Sequence, residues 1–329
     1  MRLEIINNVF LKSYPNVAYL SMAISNCEQS KNELADRLYS LCYEPRECYD
    51  RGYLVRYKPG VTFDSYESLK CLDCGNFSNF DFKNDRELDK NLRKYLNEGY
   101  YLALKLNNYY LPERRSYKVK HYDHFEMIIG YDSFRRKYLL GGYNGDFVLS
   151  RVAKNDLFSS FRNSEKDQMH GVLKYFKLKQ NSCVYEFQNS RKKLLFYRTG
   201  NLSYLRNCEI GNEKFEYTDI LGMNIYSRLK ELILNDPNLC KDRLVFYIFW
   251  EHKFLMMRRF RNLQGTEELR IYSDEIREYE TIVKKAMQIR ILQFENLKTR
   301  TPKNMKLIYR LLCQCYELEV RTLNRVLGL

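Results

Sequence analysis

Cys27 and His124 are the two side chains whose type and setting could carry covalent chemistry together. A cysteine attacks an acyl carbon as the thiolate, and the thiolate forms most readily beside an imidazole or at a helix N-terminus, where free N–H groups and the dipole stabilise charge. Cys27 precedes the stretch KNELADRLYSLCY, in which Leu34, Leu38 and Leu41 recur at helical spacing. The pattern predicts a helix with Cys27 in its first turn and Asn26 or Ser25 as its cap. His124 begins the alternating run HFEMIIGYD, which predicts a β-strand leading into a hairpin. A histidine at a strand end can offer its ring to a cleft while the strand holds its backbone. Either residue alone is ordinary. The joint order, a Cys on a helix, then a sheet, then a His, is what points to acyl transfer.

The elements that must position these residues read as follows. A short strand-like piece precedes Asn26, residues 44–80 are loop-like, and 86–98 form an amphipathic helix stopped by Gly99. Short β runs follow (YYLALKL, HFEMIIGYD, KYLLGGY, DFVLS), separated by turns, which predicts an antiparallel sheet. A short helix, LFSSF, comes next, then two strand-like runs, HGVLKYFKL and KKLLFYR. Beyond Tyr217 the pattern is helical almost throughout, ending in a helix from Pro302 to Leu327. The fold class expected is α+β, with a sheet-bearing domain over 1–210 and a helical domain over 211–329.

Composition narrows the function classes. The 329 residues, 45% hydrophobic and 29% charged with 6 Pro and 14 Gly, exclude a disordered or low-complexity chain. With 29 Tyr and 19 Phe, much of the core must be built from rings whose hydroxyls need partners. The longest apolar run, Leu244 to Trp250, is far short of the ~18 residues a membrane helix requires. Glu4 and two Asn interrupt the N-terminal stretch where a secretory signal would be apolar. A cytoplasmic location is therefore expected, with the ten cysteines as reduced thiols. A net charge of +14 and a pI near 9.2 favour an acidic protein partner. Nucleic acid ranks second, because no zinc-finger spacing, RNP-type octamer or basic GxxG loop accompanies the charge.

The run NNYYLPERRSYKVKHYDHFEMIIGYD (107–132) resembles the papain-like acyltransferases typified by the N-terminal domain of the butirosin biosynthesis protein H, which show a YYLP segment, a spacer, then His, a β run and GYD. The likeness covers residues 17–165, and the helical remainder, with LGMNIYSRLKELI and EHKFLMMRRF, matches more loosely. The HFxxxxGYD element also occurs in bacteriocin-processing peptidases of papain type. The resemblance implies a papain-like N-terminal region, Cys27 as nucleophile and His124 as base, with His121 the neighbouring alternative. It also implies an acyl donor held on the phosphopantetheine of an acidic carrier protein.

Two departures from the family pattern matter. Peptidase relatives place Gln about six residues before the cysteine for the oxyanion hole, and position 21 here is Ser. The Cys27 N–H with Asn26 or Ser25 is the expected substitute, with Ser21 a further candidate. The orienting Asp of the family falls near Leu140 or Gly141 and is missing; Asn144 is the expected replacement, Asp146 second and Asp132 third.

Other features have plainer readings. Cys71 and Cys74 have half a zinc-ribbon spacing without the second half, so no metal is expected there. No Walker loop, GxGxxG or pyridoxal signature is present, and no bound cofactor is expected. Arg114, Arg115, Lys118 and Lys120, with Arg135, Arg136 and Lys137, form two basic clusters flanking the His124 strand, suited to docking the carrier. The expected activity is amide formation between a carrier-bound acyl thioester and a small amine, such as a diamine, in specialised-metabolite biosynthesis. The alternatives are a cysteine peptidase or thioesterase of the same fold, and a non-catalytic basic binding protein.

Overall fold

The computed structural model describes residues 11–45, 53–58, 69–77, 84–144, 147–165, 172–179, 185–205, 219–236, 239, 242–266, 269, 271–299 and 302–329. In chain order the elements are α1 (Pro15–Ala23), α2 (Glu28–Arg37), β1 (Ser40–Pro45), β2 (Tyr53–Lys58), β3 (Leu72–Phe77), α3 (Asp85–Asn97), β4 (Tyr101–Asn107), β5 (Asp123–Asp132), β6 (Lys137–Tyr143) and β7 (Phe147–Ala153). They continue with α4 (Lys154–Arg162), β8 (Leu173–Leu178), α5 (Ser190–Thr199), β9 (Ile220–Leu221), α6 (Ile225–Asn235), α7 (Leu244–Leu263), α8 (Ser273–Thr299) and α9 (Met305–Leu327). The fold is α+β, with antiparallel sheets and a helical C-terminal region. Among the described residues no helix is long and apolar enough to cross a membrane.

The chain groups into two units, residues 1–31 with 62–184 and residues 32–61 with 185–329. This differs from a single cut at 210. The hairpin β1–β2 pairs with β9, two residues far along the chain, so that segment joins the helical unit.

In the first unit six antiparallel strands lie in the order β3-β8-β4-β5-β6-β7. Leu88, Leu92 and Leu96 of α3 and Leu157, Phe158 and Phe161 of α4 pack on Leu102, Leu104, Leu106, Ile128 and Leu140 from one face of the sheet. The α3 apolar positions recur at 4-residue spacing, and Asn84 caps the helix by accepting the Glu87 N–H at 3.0 Å. The other face carries α1: its Tyr19 hydroxyl donates to the Phe125 carbonyl at 2.5 Å, and Met22 lies against Gly141.

In the second unit α7 is buried almost all round, charged residues included: Glu251, His252, Lys253 and Arg259 are all 0% exposed. Lys253 joins Glu319 of α9 in a polar core, where the carboxylate accepts from the ammonium at 2.7 Å and from the hydroxyls of Tyr197, Tyr226 and Tyr279. Three of the tyrosine hydroxyls that need buried partners find one in this carboxylate.

Several elements differ from the sequence expectation, each because periodicity was too short to decide. The strand-like N-terminal piece is the helix α1, whose residues from Val17 to Ala23 are all buried, and a short run buried on every side carries no period. The helix expected through Leu41 ends at Arg37, and Leu41 lies in β1. Two strands, β2 and β3, fall within 44–80, and KKLLFYR is helical, closed by Gly200 at φ 71°. The last helix begins at Met305, with the Pro302 carbonyl accepting the Met305 N–H at 3.3 Å.

The buried His252 has a consequence for stability. Its Nε2 lies 3.2 Å from the Tyr39 carbonyl, and burial, then the Lys253 charge, hold its pKa well below 6.5. The ring is neutral in the folded protein and gains a proton on unfolding below pH 6.5. The unfolded state then binds more protons, so stability falls as pH drops through that range, by up to about 1.4 kcal/mol per pH unit. Urea midpoints between pH 7.5 and pH 5 check this; in His252→Gln the slope above the carboxylate range is expected to vanish.

Candidate active site

Cys27 stands immediately before the first residue of α2, with its carbonyl accepting the Lys31 N–H at 3.1 Å. It therefore occupies the cap position itself, one residue earlier than the expected first-turn place. The side chain is half-buried. Its own N–H is already donated to the Ile24 carbonyl at 3.0 Å, which removes it from the expected oxyanion hole. Ser21 is also removed: it is fully buried within α1, and its Oγ accepts the Leu11 N–H at 3.1 Å. Ser25 is buried and donates to Asn26 Oδ1 at 3.5 Å, leaving the exposed Asn26 as the expected donor best placed to face a substrate.

His124 occupies the second position of β5 and pairs with Leu106 of β4. Its Nδ1 lies 2.7 Å from the Phe125 carbonyl. A carbonyl only accepts, so Nδ1 carries a hydrogen, and in the neutral ring Nε2 is the nitrogen with the lone pair a general base needs. The ring is flanked by Tyr122, stacked at 5.9 Å, and by Tyr143 at 6.5 Å. Tyr143 is itself anchored by donating to the Lys12 carbonyl at 2.8 Å.

The orienting group is thus a backbone carbonyl and not Asn144. Continuing the pairing of Met127 with Gly141 sets Asn144 opposite His124, yet among the described residues its buried Oδ1 accepts no hydrogen bond. Asp146 lies outside the described residues. Asp132 is at the other end of β5, eight residues or roughly 26 Å from His124 at the usual strand rise, and its Oδ1 accepts the Arg135 N–H at 3.0 Å. His121 is exposed and stacked on Tyr109 at 4.4 Å, with its Nδ1 accepting from Asn107 Nδ2 at 3.1 Å. That amide is oriented by the Tyr109 N–H on its oxygen and the Asn163 carbonyl on its nitrogen.

Cys27 and His124 belong to the same unit, but among the described residues Cys27 is not one of the ring's partners. Alternation along β5 sends His124, Glu126 and Ile128 to one face and Phe125 and Met127 to the other, where α1 packs.

The basic clusters divide. Arg115, Lys118, Lys120, Arg135 and Arg136 are exposed, as docking requires. Arg114 is only 4% exposed: it forms a bidentate pair with Glu126, at 3.1 and 2.6 Å, and donates to Ser150 at 3.1 Å. It ties the segment before β5 to the sheet and cannot dock a partner. The sequence signal for this was Glu126, a charge among apolar residues on the core face of β5.

Cys74 lies in β3 opposite Phe176, and the Cys71 carbonyl accepts the Lys179 N–H at 3.0 Å. Among the described residues the group spaced to hold a metal is instead Cys42, Glu44 and Asp219, in the second unit. Glu44 there already has a cation, Arg56. Cys42 and Glu44 share a face through the two-residue period of β1, and only the pairing of β1 with β9 brings Asp219 to them. Neither a protein-family model nor a curated protein matches the sequence.

Proposed function

We propose that the chain is a papain-like cysteine acyltransferase that forms an amide between an acyl thioester, carried on a carrier protein's phosphopantetheine, and a small amine. The observation that supports it is the setting of Cys27, half-buried at the start of a ten-residue helix in the same unit as a histidine with a free Nε2. The Cys27 thiolate attacks the thioester carbon, a new C–S bond forms, and the carrier thiolate leaves and takes up a proton. An amine then attacks the acyl-enzyme, the C–S bond to Cys27 breaks, and a base such as His124 Nε2 carries the ammonium proton away. The resting imidazole must turn toward Cys27 for these steps, as catalytic hydrogen bonds often tighten only with substrate present.

A second reading is binding without catalysis, since among the described residues the His124 ring is held by the Phe125 carbonyl between Tyr122 and Tyr143. Intact-mass analysis after incubation with acylated carrier proteins separates the two. The acyl reading expects an adduct on the wild type, none on Cys27→Ala, and release as amide when amine is added. An adduct that survives Cys27→Ala overturns it. Release as free acid, unaltered by amine, favours the peptidase or thioesterase. Thiol labelling gives an independent control, because burial pushes the Cys315 thiol up to about 12 and it should stay unlabelled at neutral pH while Cys27 reacts.

A further inference from the structure

A cleft of about 250 Å³ opens on the first unit at the far end of β5 from His124, lined by Gly130, Tyr131, Asp132, Ser133, Lys137, Leu139 and Arg151. It exists because the β5–β6 register shifts between Ile128 and Gly130, and Gly130 offers no side chain to fill the space. Gly130 pairs with Leu139, Leu139 with Arg151, and Asp132 with Lys137, so these residues share one face. Lys137 and Arg151 are therefore diagonal neighbours across β6 and β7, about 7–8 Å apart at Cβ, a spacing that one tetrahedral anion can bridge.

Among the described residues neither cation forms an ion pair, whereas Arg93 and Lys154 share Asp89, and Arg162 pairs with Asp85. The one carboxylate in the cleft, Asp132, has its Oδ1 held by the Arg135 N–H at 3.0 Å, and this hydrogen bond, with a smaller contribution from the Arg151 charge, keeps its pKa below the usual carboxylate range. Ser133 adds an exposed hydroxyl donor. A planar guanidinium fork beside a lysine point charge suits phosphate oxygens better than it suits a single carboxylate.

We propose that this cleft binds the phosphate group of a phosphate ester, with Arg151 as the fork, Lys137 as the second cation and Ser133 as a third donor. The site goes beyond the acyl-transfer reading and does not depend on it. Two sources share the chemistry, a free phosphate monoester and the phosphate of a pantetheine arm.

Isothermal titration of the full chain with inorganic phosphate and with pantetheine 4′-phosphate tests the assignment. Saturable binding is expected, weakened at least about tenfold in Arg151→Gln with Lys137→Gln, because each loses a charge-assisted hydrogen bond. Arg162→Gln, which removes an exposed cation elsewhere on the unit, is expected to bind as the wild type does. Asp132→Asn should tighten binding by removing a like charge, which a merely structural role would not do. Equal affinity for both ligands identifies phosphate itself as the recognised group, and preference for pantetheine 4′-phosphate identifies the arm. No saturable binding of either ligand, or binding unchanged in the double variant with its fold verified by circular dichroism, overturns the proposal.

Discussion

Lys253→Met is expected to destabilise the second unit by about 3–5 kcal/mol, the cost of leaving a buried carboxylate without its cation. Lys253 and Glu319 are both fully buried and 2.7 Å apart. The ammonium also lies over Tyr197, Tyr226 and Phe249 at 5.1, 4.9 and 4.8 Å from the ring centroids. Burial pulls the Lys253 pKa down, and the Glu319 charge opposes it. Once the lysine is gone, Glu319 must take up a proton or stay charged among tyrosine hydroxyls alone. Replacing both, as Lys253→Met with Glu319→Leu, should recover most of the loss, since the desolvation of both charges disappears together. The single tryptophan, Trp250, lies on α7, so its fluorescence in a urea titration reports this unit directly. A loss below about 1 kcal/mol in Lys253→Met would show that the pair is not the centre of this core.

Gly142→Ala should cost the first unit a similar amount, through a clash and not a lost contact. A Cβ at position 142 would lie 1.6 Å from Glu126 Oε2 and 2.6 Å from Arg114 Nη2. The bidentate Arg114–Glu126 pair passes over β6 at Gly142, which has no side chain, and both partners are almost wholly buried. The alanine must push the pair apart, and breaking a buried pair costs about 3–5 kcal/mol. Arg114→Ala is expected to cost about as much, so a change of activity in that variant would report folding and not carrier docking. Arg114→Met with Glu126→Leu should be far milder than either. Hydrogen exchange at β5–β7 amides is the measurement, and unchanged protection in Gly142→Ala would disprove the crossing.

What the sequence determined by itself is what local chemistry controls. Cys27 falls next to a helix start, although of the leucines spaced after it only Leu34 lies within α2; the strands β4 to β7 and the helices α3, α7, α8 and α9 follow from patterns long enough to show a period. The placement of Cys27 and His124 as candidates was legible for the same reason. Short segments were not legible: α1 is apolar on too many sides for a period to show, the apolar run of α5 is only the four residues LLFY, and β2 and β3 lie among turn formers.

Only the tertiary structure decided which polar side chains are partners. Arg114 reads as one cation in a surface cluster until the sheet brings Glu126 and Ser150 beside it, 12 and 36 residues away. Asn144 falls opposite His124 as the hairpin requires, but the carbonyl of the next residue, Phe125, takes the imidazole N–H. Lys253 and Glu319 are 66 residues apart, and nothing local marks either as buried. Periodicity carries information about which face a residue occupies; it carries none about which distant charge will meet it there, because that depends on the packing of whole elements.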